Sequence, residues 1–206
     1  MTLNKHMRKI TSIFFLPSVH KIFSTGLDGV LMISDLIKGT ESYRFAAYEN
    51  KSAITTASIK DEELISIGFD TGLVGIFDNR EEEGMIQIPN AHSDYVNSIA
   101  FTPSQSQIAT TSLDQMVKVW DLRNLEKPIF SQEAKGIHLS KIYFLDDSII
   151  AGTSTTGKLI QWDATTGNLL KMNTVRQFGI FASTQQRDLD RLIVSSEDNV
   201  VSMLYY

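Results

Sequence analysis

Two Trp-Asp pairs, Trp120-Asp121 and Trp162-Asp163, stand 42 residues apart, and the interval does not stop with them. Counting back 43 residues from Trp120 lands on Phe77-Asp78, and a further 43 lands on Ser34-Asp35. Counting forward 42 from Trp162 lands on Leu204-Tyr205. A fixed period of this length marks a chain of like supersecondary units, none able to bury its apolar face alone.

The local grammar repeats with the period. Six residues before each anchor comes a turn residue: Asp28, Thr71, Asp114, Thr156 and Asp198. Gly29, Gly72, Gly157 and Asn199 follow four of them, as a tight hairpin with a positive φ requires. Leu31, Val74, Val117, Leu159 and Val201 stand three before the anchors. Ile33, Ile76, Val119, Gln161 and Met203 stand one before, and only Gln161 breaks the period-two alternation of a strand with one packed face. Apolar runs recur upstream, as in Ile22–Thr25, Leu64–Ile67, Ile108–Thr111 and Leu192–Ser195, and further upstream in Ile10–Phe15 and Val96–Phe101. A fourth short strand after the anchor is predicted at Met85–Ile88 and Ile129–Ser131. Four short strands per unit mean one antiparallel sheet per repeat.

These residues resemble the WD-repeat family. The third unit carries the fullest match, with Ala91-His92, Val96, Ile99, Phe101, Pro103, Ser112, Asp114 and Trp120-Asp121. The resemblance implies an all-β WD-repeat β-propeller of about five visible four-stranded antiparallel blades. The units run about 4–46, 47–90, 91–133, 134–175 and 176–206, read as one propeller domain over 1–206. Rings of that family usually count seven blades, and the last unit stops after a third strand. Three readings stay open: part of a seven-bladed ring, a ring completed by a partner chain, or five blades closing alone. An unclosed array would expose sheet edges and apolar faces.

The resemblance also implies a buried hydrogen-bonded chain of histidine, strand hydroxyl, turn aspartate and tryptophan. It carries over fully to the third unit alone, as His92, Thr110 or Ser112, Asp114 and Trp120. The first unit has His6 and Asp28 but Ser34 at the anchor, and the fourth has Trp162 but Thr156 at the turn.

Similar propellers often receive partners at the end of the ring near the central channel. The matching positions are Tyr95, Asn97 and Leu113 in the third unit, Lys9, Thr11 and Leu27 in the first, and Ala53 and Thr55 in the second. Tyrosine gives a large contact area at small entropic cost, which favours Tyr95. The other reading is that these side chains merely line a wet channel. Trp120-Asp121-Leu122-Arg123 and Phe77-Asp78-Asn79-Arg80 resemble the double motif of WD-repeat substrate receptors of cullin-RING ubiquitin ligases. That makes Arg80 and Arg123 candidates for ligase-adaptor docking, against the plainer reading that each pairs with an acidic neighbour.

Several chemistries are disfavoured. The chain has no cysteine, which removes disulfides, thiolate zinc sites and thiol nucleophiles and suits an intracellular setting, cytoplasm or nucleus. A net charge of −5 does not suit a coat for nucleic acid. No two of the four histidines have metal-ligand spacing. Gly152 to Lys158 imitates a phosphate-binding loop, but Leu159 replaces the hydroxyl that would hold Mg²⁺ and a strand is expected next. Lys5, Arg8 and Lys9 before Ile10–Leu16 imitate a signal peptide, but the apolar run is short and Pro17 ends it. No run approaches the roughly 18 apolar residues of a membrane helix. The expectation is a non-enzymatic protein-interaction scaffold without cofactor or metal. The alternative is an RNA- or chromatin-associated propeller subunit of a larger complex.

Overall fold

The computed structural model describes residues 6–16, 20–46, 52–60, 64–78, 85–88, 90–104, 106–134, 136–175, 177–186 and 189–205. Their strands form five antiparallel sheets taken in chain order. The first sheet holds β1 (Ile10–Leu16), β2 (Lys21–Gly26), β3 (Val30–Asp35) and β4 (Thr40–Ala46). The second holds β5 (Ile54–Ile59), β6 (Leu64–Phe69), β7 (Val74–Asp78) and β8 (Met85–Ile88). The third holds β9 (Val96–Phe101), β10 (Gln107–Ser112), β11 (Met116–Asp121) and β12 (Phe130–Glu133), the last a residue later than its sequence suggests. The fourth holds β13 (Leu139–Phe144), β14 (Ile149–Ser154), β15 (Lys158–Asp163) and β16 (Leu169–Thr174). The fifth has three strands among the described residues: β17 (Ile180–Gln186), β18 (Arg191–Ser196) and β19 (Val201–Tyr205).

One hairpin design joins the second and third strands of every sheet. The amides of Gly29, Gly72, Gln115, Gly157 and Asn199 each donate to the carbonyl three residues back, at 3.1–3.3 Å. All five donors are left-handed, with φ of 71°, 84°, 66°, 76° and 61°. A left-handed residue closing such a turn matches the right-handed twist of the strands it joins. The turn side chains finish the work. Asp28 Oδ1 accepts from the Val30 amide at 3.2 Å, and Asp114 Oδ1 from the Met116 amide at 2.9 Å. Where the fourth sheet has Thr156, Ser154 Oγ accepts from the Lys158 amide at 2.9 Å. The Gly152–Lys158 segment is thus strand, turn and strand, with no helix to face a phosphate.

The chain divides into two compact units, Met1–Val96 and Asn97–Tyr206. Within the first, the second-strand and third-strand residues Phe23, Leu31 and Ile33 stack on Ile54, Ile67 and Phe69 of the next sheet. Within the second, Val117 and Val119 of the third sheet stack on Ile142, Phe144 and Ile160 of the fourth. A smaller cluster joins Ala151 and Leu159 to Ile180, Leu192 and Val194 of the fifth. Within each unit, successive sheets therefore bury apolar faces against one another, the physical reason that one repeat cannot stand alone.

Candidate functional site

The first strand of a sheet is an edge, and its outward carbonyls and amides need partners. Side chains of the preceding sheet supply them. Thr11 Oγ1 donates to the Ile54 carbonyl at 2.9 Å, Thr55 Oγ1 to the Val96 carbonyl at 2.7 Å, and Asn97 Nδ2 to the Leu139 carbonyl at 2.9 Å. In each case the donor is the second residue of its strand and the acceptor the first residue of the strand one repeat on. One residue later, Ser12 Oγ accepts from the Ala57 amide at 3.1 Å and Ser98 Oγ from the Ile142 amide at 3.3 Å.

A backbone irregularity falls at Thr11 and at Thr55, and recurs at Ser140 in the fourth sheet. The first-to-second-strand register slips between Ile10 and Ser12, between Ile54 and Thr56, and between Leu139 and Lys141. A bulge leaves its extra residue unpaired and re-aims the side chain. Thr11, Thr55 and Asn97 are among the candidates that the sequence offers for partner contact or for lining a channel. In the structure each makes a sheet-to-sheet bond, and Thr55 and Ala53 are buried at 8% and 7% exposure.

The remaining candidates lie at the hairpin ends of the sheets. The Leu27 amide donates to the Lys9 carbonyl at 2.9 Å, and the same bond joins Asp70 to Ala53, Thr155 to His138 and Glu197 to Gly179. Lys9 is exposed and Leu27 half-buried. Leu113, which holds in the third sheet the position of Leu27 in the first, is 42% exposed. Tyr95 is half-buried. Burial first and the charge of Asp70 second raise its hydroxyl pKa, so the group stays a proton donor at neutral pH.

The buried polar chains differ between sheets. In the third, Trp120 Nε1 donates to Thr110 Oγ1 at 3.1 Å, whereas Ser112 Oγ turns to the hairpin and accepts from the Asp114 amide at 3.1 Å. Thr110 is thus the hydroxyl on the indole. His92 is buried, and its amide donates to the Gly72 carbonyl at 3.0 Å.

The first sheet carries a chain that sequence reasoning left incomplete. His6 Nδ1 lies 3.1 Å from both carboxylate oxygens of Asp28, which places a proton on Nδ1. His6 Nε2 lies 2.9 Å from Ser24 Oγ. Burial pushes the Asp28 carboxyl up, but bonds from the Met7 amide, the His6 ring and the Val30 amide outweigh it and leave the pKa lowered. The signal for Ser24 was available: it stands ten residues before Ser34, as Thr110 stands ten before Trp120.

The two docking arginines fare differently. Arg80 lies outside the described residues. Arg123 grips Asp121 of its own sheet with two prongs, Nε to Oδ1 at 3.0 Å and an Nη to Oδ2 at 2.8 Å. This bond and the Arg123 amide hold the Asp121 carboxyl down at about 2. No group of three metal-ligating side chains occurs among the described residues, and no helix there is long and apolar enough to cross a membrane.

A family model, the WD domain, G-beta repeat, matches residues 84–121. An uncharacterized WD repeat-containing protein of Schizosaccharomyces pombe is 28% identical over 98% of this chain and 58% of its own length. Residues 84–121 thus form a WD repeat, and the chain resembles a WD repeat-containing protein over nearly its whole length. This WD-repeat chain is also similar to the U3 small nucleolar RNA-associated protein 4 homolog of Mus musculus, 24% identical over 88% of this chain and 27% of that protein. The E3 ubiquitin-protein ligase COP1 of Arabidopsis thaliana is 25% identical over 85% of this chain and 25% of its own length. The WD-repeat chain thus spans just over half of the first relative and about a quarter of the others. A chain of the solved Mitotic Checkpoint Complex superposes with a TM-score of 0.82 at 18% identity, covering 96% of this chain and 62% of that one. The fold is a β-propeller.

Proposed function

We propose that this WD-repeat chain is a non-enzymatic protein-interaction scaffold that receives a partner at the hairpin ends of its sheets. The observation that carries the reading is the division of labour among the candidate residues. Thr11, Thr55 and Asn97 are engaged within the fold, whereas Leu113, Lys9 and the half-buried Tyr95 remain presented at the hairpin ends. Tyrosine is among the residue types that dominate interface energies, which favours Tyr95 as the anchor. The partner is a protein, since the net charge of −5 opposes direct contact with phosphate backbones. The setting is intracellular, in cytoplasm or nucleus.

The relatives support two finer roles. A subunit of an RNA-processing assembly is supported by the U3-associated relative and by the Ribosome biogenesis protein WDR12 homolog of Nematostella vectensis, 24% identical over 64% of this chain. A substrate receptor of a cullin-RING ubiquitin ligase is supported by the COP1 relative. The Arg123–Asp121 pair favours the first, because docking through Arg123 has to displace a bidentate partner.

The test is quantitative cross-linking mass spectrometry on the tagged chain in its own cells, with and without nuclease, beside the double variant Tyr95→Ala, Leu113→Asp. Cross-links from Lys9 to one partner protein that persist after nuclease and fall at least about tenfold in the variant are expected for two anchors at the typical cost of hot-spot truncation. Cross-links lost on nuclease treatment, or unchanged in the variant, reject the reading.

A further inference from the structure

The two tryptophan anchors occupy the same repeat position but have different surroundings. Trp120 has the Thr110 hydroxyl as acceptor, ten residues upstream. Ten residues upstream of Trp162 stands Gly152. A Cβ there would come within 3.0 Å of both Trp162 Cζ3 and Leu139 Cδ2, so the six-membered ring of the indole lies over Gly152 and its N–H is turned elsewhere. Trp162 is 3% exposed as a residue, but its indole N–H bonds no described residue and stays accessible to solvent.

The same indole lines a cavity of about 440 Å³ in the second unit, within the size range of built ligand sites. Ile137 and Ile160 form its apolar floor with Trp162, and Leu169 and Met172 of β16 rise at its rim. The rim is the most exposed strand of the chain: all six residues of β16 are exposed, with Leu169, Leu170 and Met172 at 54%, 53% and 45%. Glu133 and Lys158 also line the cavity, and among the described residues neither is paired with an opposite charge. The site thus offers an apolar floor, a spare N–H donor and two unneutralised charges of opposite sign.

We propose that this cavity binds a short peptide segment of a partner protein. One aliphatic or aromatic side chain of the peptide packs on Trp162, a backbone carbonyl accepts the Trp162 N–H, and flanking acidic and basic residues meet Lys158 and Glu133. A purely apolar occupant would leave both charges and the N–H unanswered; a phosphate-bearing one would meet Glu133 as a like charge. The proposal rests on the scaffold reading only in that a partner supplies the segment.

The experiment titrates the whole chain with two capped pentapeptides, Ala-Glu-Leu-Lys-Ala and Ala-Lys-Leu-Glu-Ala, following the ¹⁵N-indole resonances. The chain has two tryptophans, so Trp120, with its internal acceptor, serves as the control. Saturable movement of the Trp162 resonance by one of the two peptides, with Trp120 unmoved, is expected. A neutral Ala-Gln-Leu-Gln-Ala peptide should bind about threefold or more weakly, the measure of two half-exposed charge pairs. Met172→Glu, at an exposed rim position, should abolish the Trp162 shift while leaving the Trp120 resonance in place as evidence of folding.

Three results overturn the proposal. The first is a Trp162 resonance unmoved by either charged peptide. The second is equal affinity for the neutral peptide, which would mark a site for small apolar molecules. The third is a Trp162 shift that follows protein concentration without peptide, which would mean that a second copy fills the cavity. Partner cross-links that survive at the hairpin ends while the peptides fail would reject this cavity and leave the scaffold reading standing.

Discussion

The Thr55 hydroxyl lies 2.7 Å from the carbonyl of Val96 and 3.0 Å from that of Gly68, serving one acceptor in the next strand array and one in its own sheet. It is one step of a recurring bond, with Thr11 to Ile54 before it and Asn97 to Leu139 after it.

Thr55→Val keeps the shape and removes the donor. Two carbonyls then lose a partner at a site where the hydroxyl is 8% exposed. A cost of about 1–3 kcal/mol is expected. Urea unfolding should show it as a lowered midpoint at unchanged slope. A variant that unfolds like the parent would show that water replaces the bond.

The Trp120–Thr110 bond can be isolated from the packing around it. Thr110→Val should cost about 1–2 kcal/mol in the parent and much less in Trp120→Phe, because the donor is then gone. Equal costs in both backgrounds would mean that Thr110 acts through its volume and not through its oxygen.

Gly72 sits at φ +84°, and a Cβ there would collide with the His92 carbonyl and lie 3.1 Å from that of Asp94. Neither obstacle is a flexible side chain. Gly72→Ala should destabilise by about 3 kcal/mol or more, from left-handed strain together with a main-chain clash. Gln115 reaches φ 66° without that crowding, and its Oε1 accepts from the Gly136 amide at 2.8 Å. Gln115→Gly should therefore change stability by less than about 1 kcal/mol, strain relief offsetting the lost bond. Thermal melts of the two variants make the comparison.

Removing the Arg123 head should move a titration more than a melting curve. With Arg123→Ala the Asp121 carboxyl should rise from about 2 toward 3.8, stopping short because the residue-123 amide still donates to it at 2.9 Å. The sign follows from linkage. A depressed carboxyl stabilises the folded state above its unfolded pKa, and that contribution disappears as pH falls through the depressed value. The parent should thus lose this small contribution between about pH 4 and 2, and the variant should lack most of that slope. The site is open to solvent, so carboxyl NMR titration is the measurement to make.

The repeat, the hairpins and most strand positions were legible because each is written in local chemistry. Gly29, Gly72, Gly157 and Asn199 announce a positive φ by residue type. Gln115 does not, since its left-handed backbone follows from its place in the repeat and not from its own preference. The inter-sheet bonds were not legible for a different reason. Alternation shows which face of a strand Thr11 or Thr55 occupies, but the bulge that re-aims the side chain depends on pairing with the second strand. The His6–Ser24 link was hidden by Ser34, whose smallness broke the pattern that would have prompted a search for the hydroxyl. The fourth unit has Gly152 where the third has Thr110, a difference visible only when one unit is laid over the other.

The bond between neighbouring sheets also bears on how such a chain can change over generations. In all three recorded steps the receiving group is a main-chain carbonyl, which every amino acid possesses. The receiving residue can be Ile54, Val96 or Leu139 without altering the acceptor. Only the giving side must remember a threonine or an asparagine. Each repeat can therefore drift in sequence without obliging its neighbour to change in step, and two chains can share the architecture while keeping only about a quarter of their residues in common.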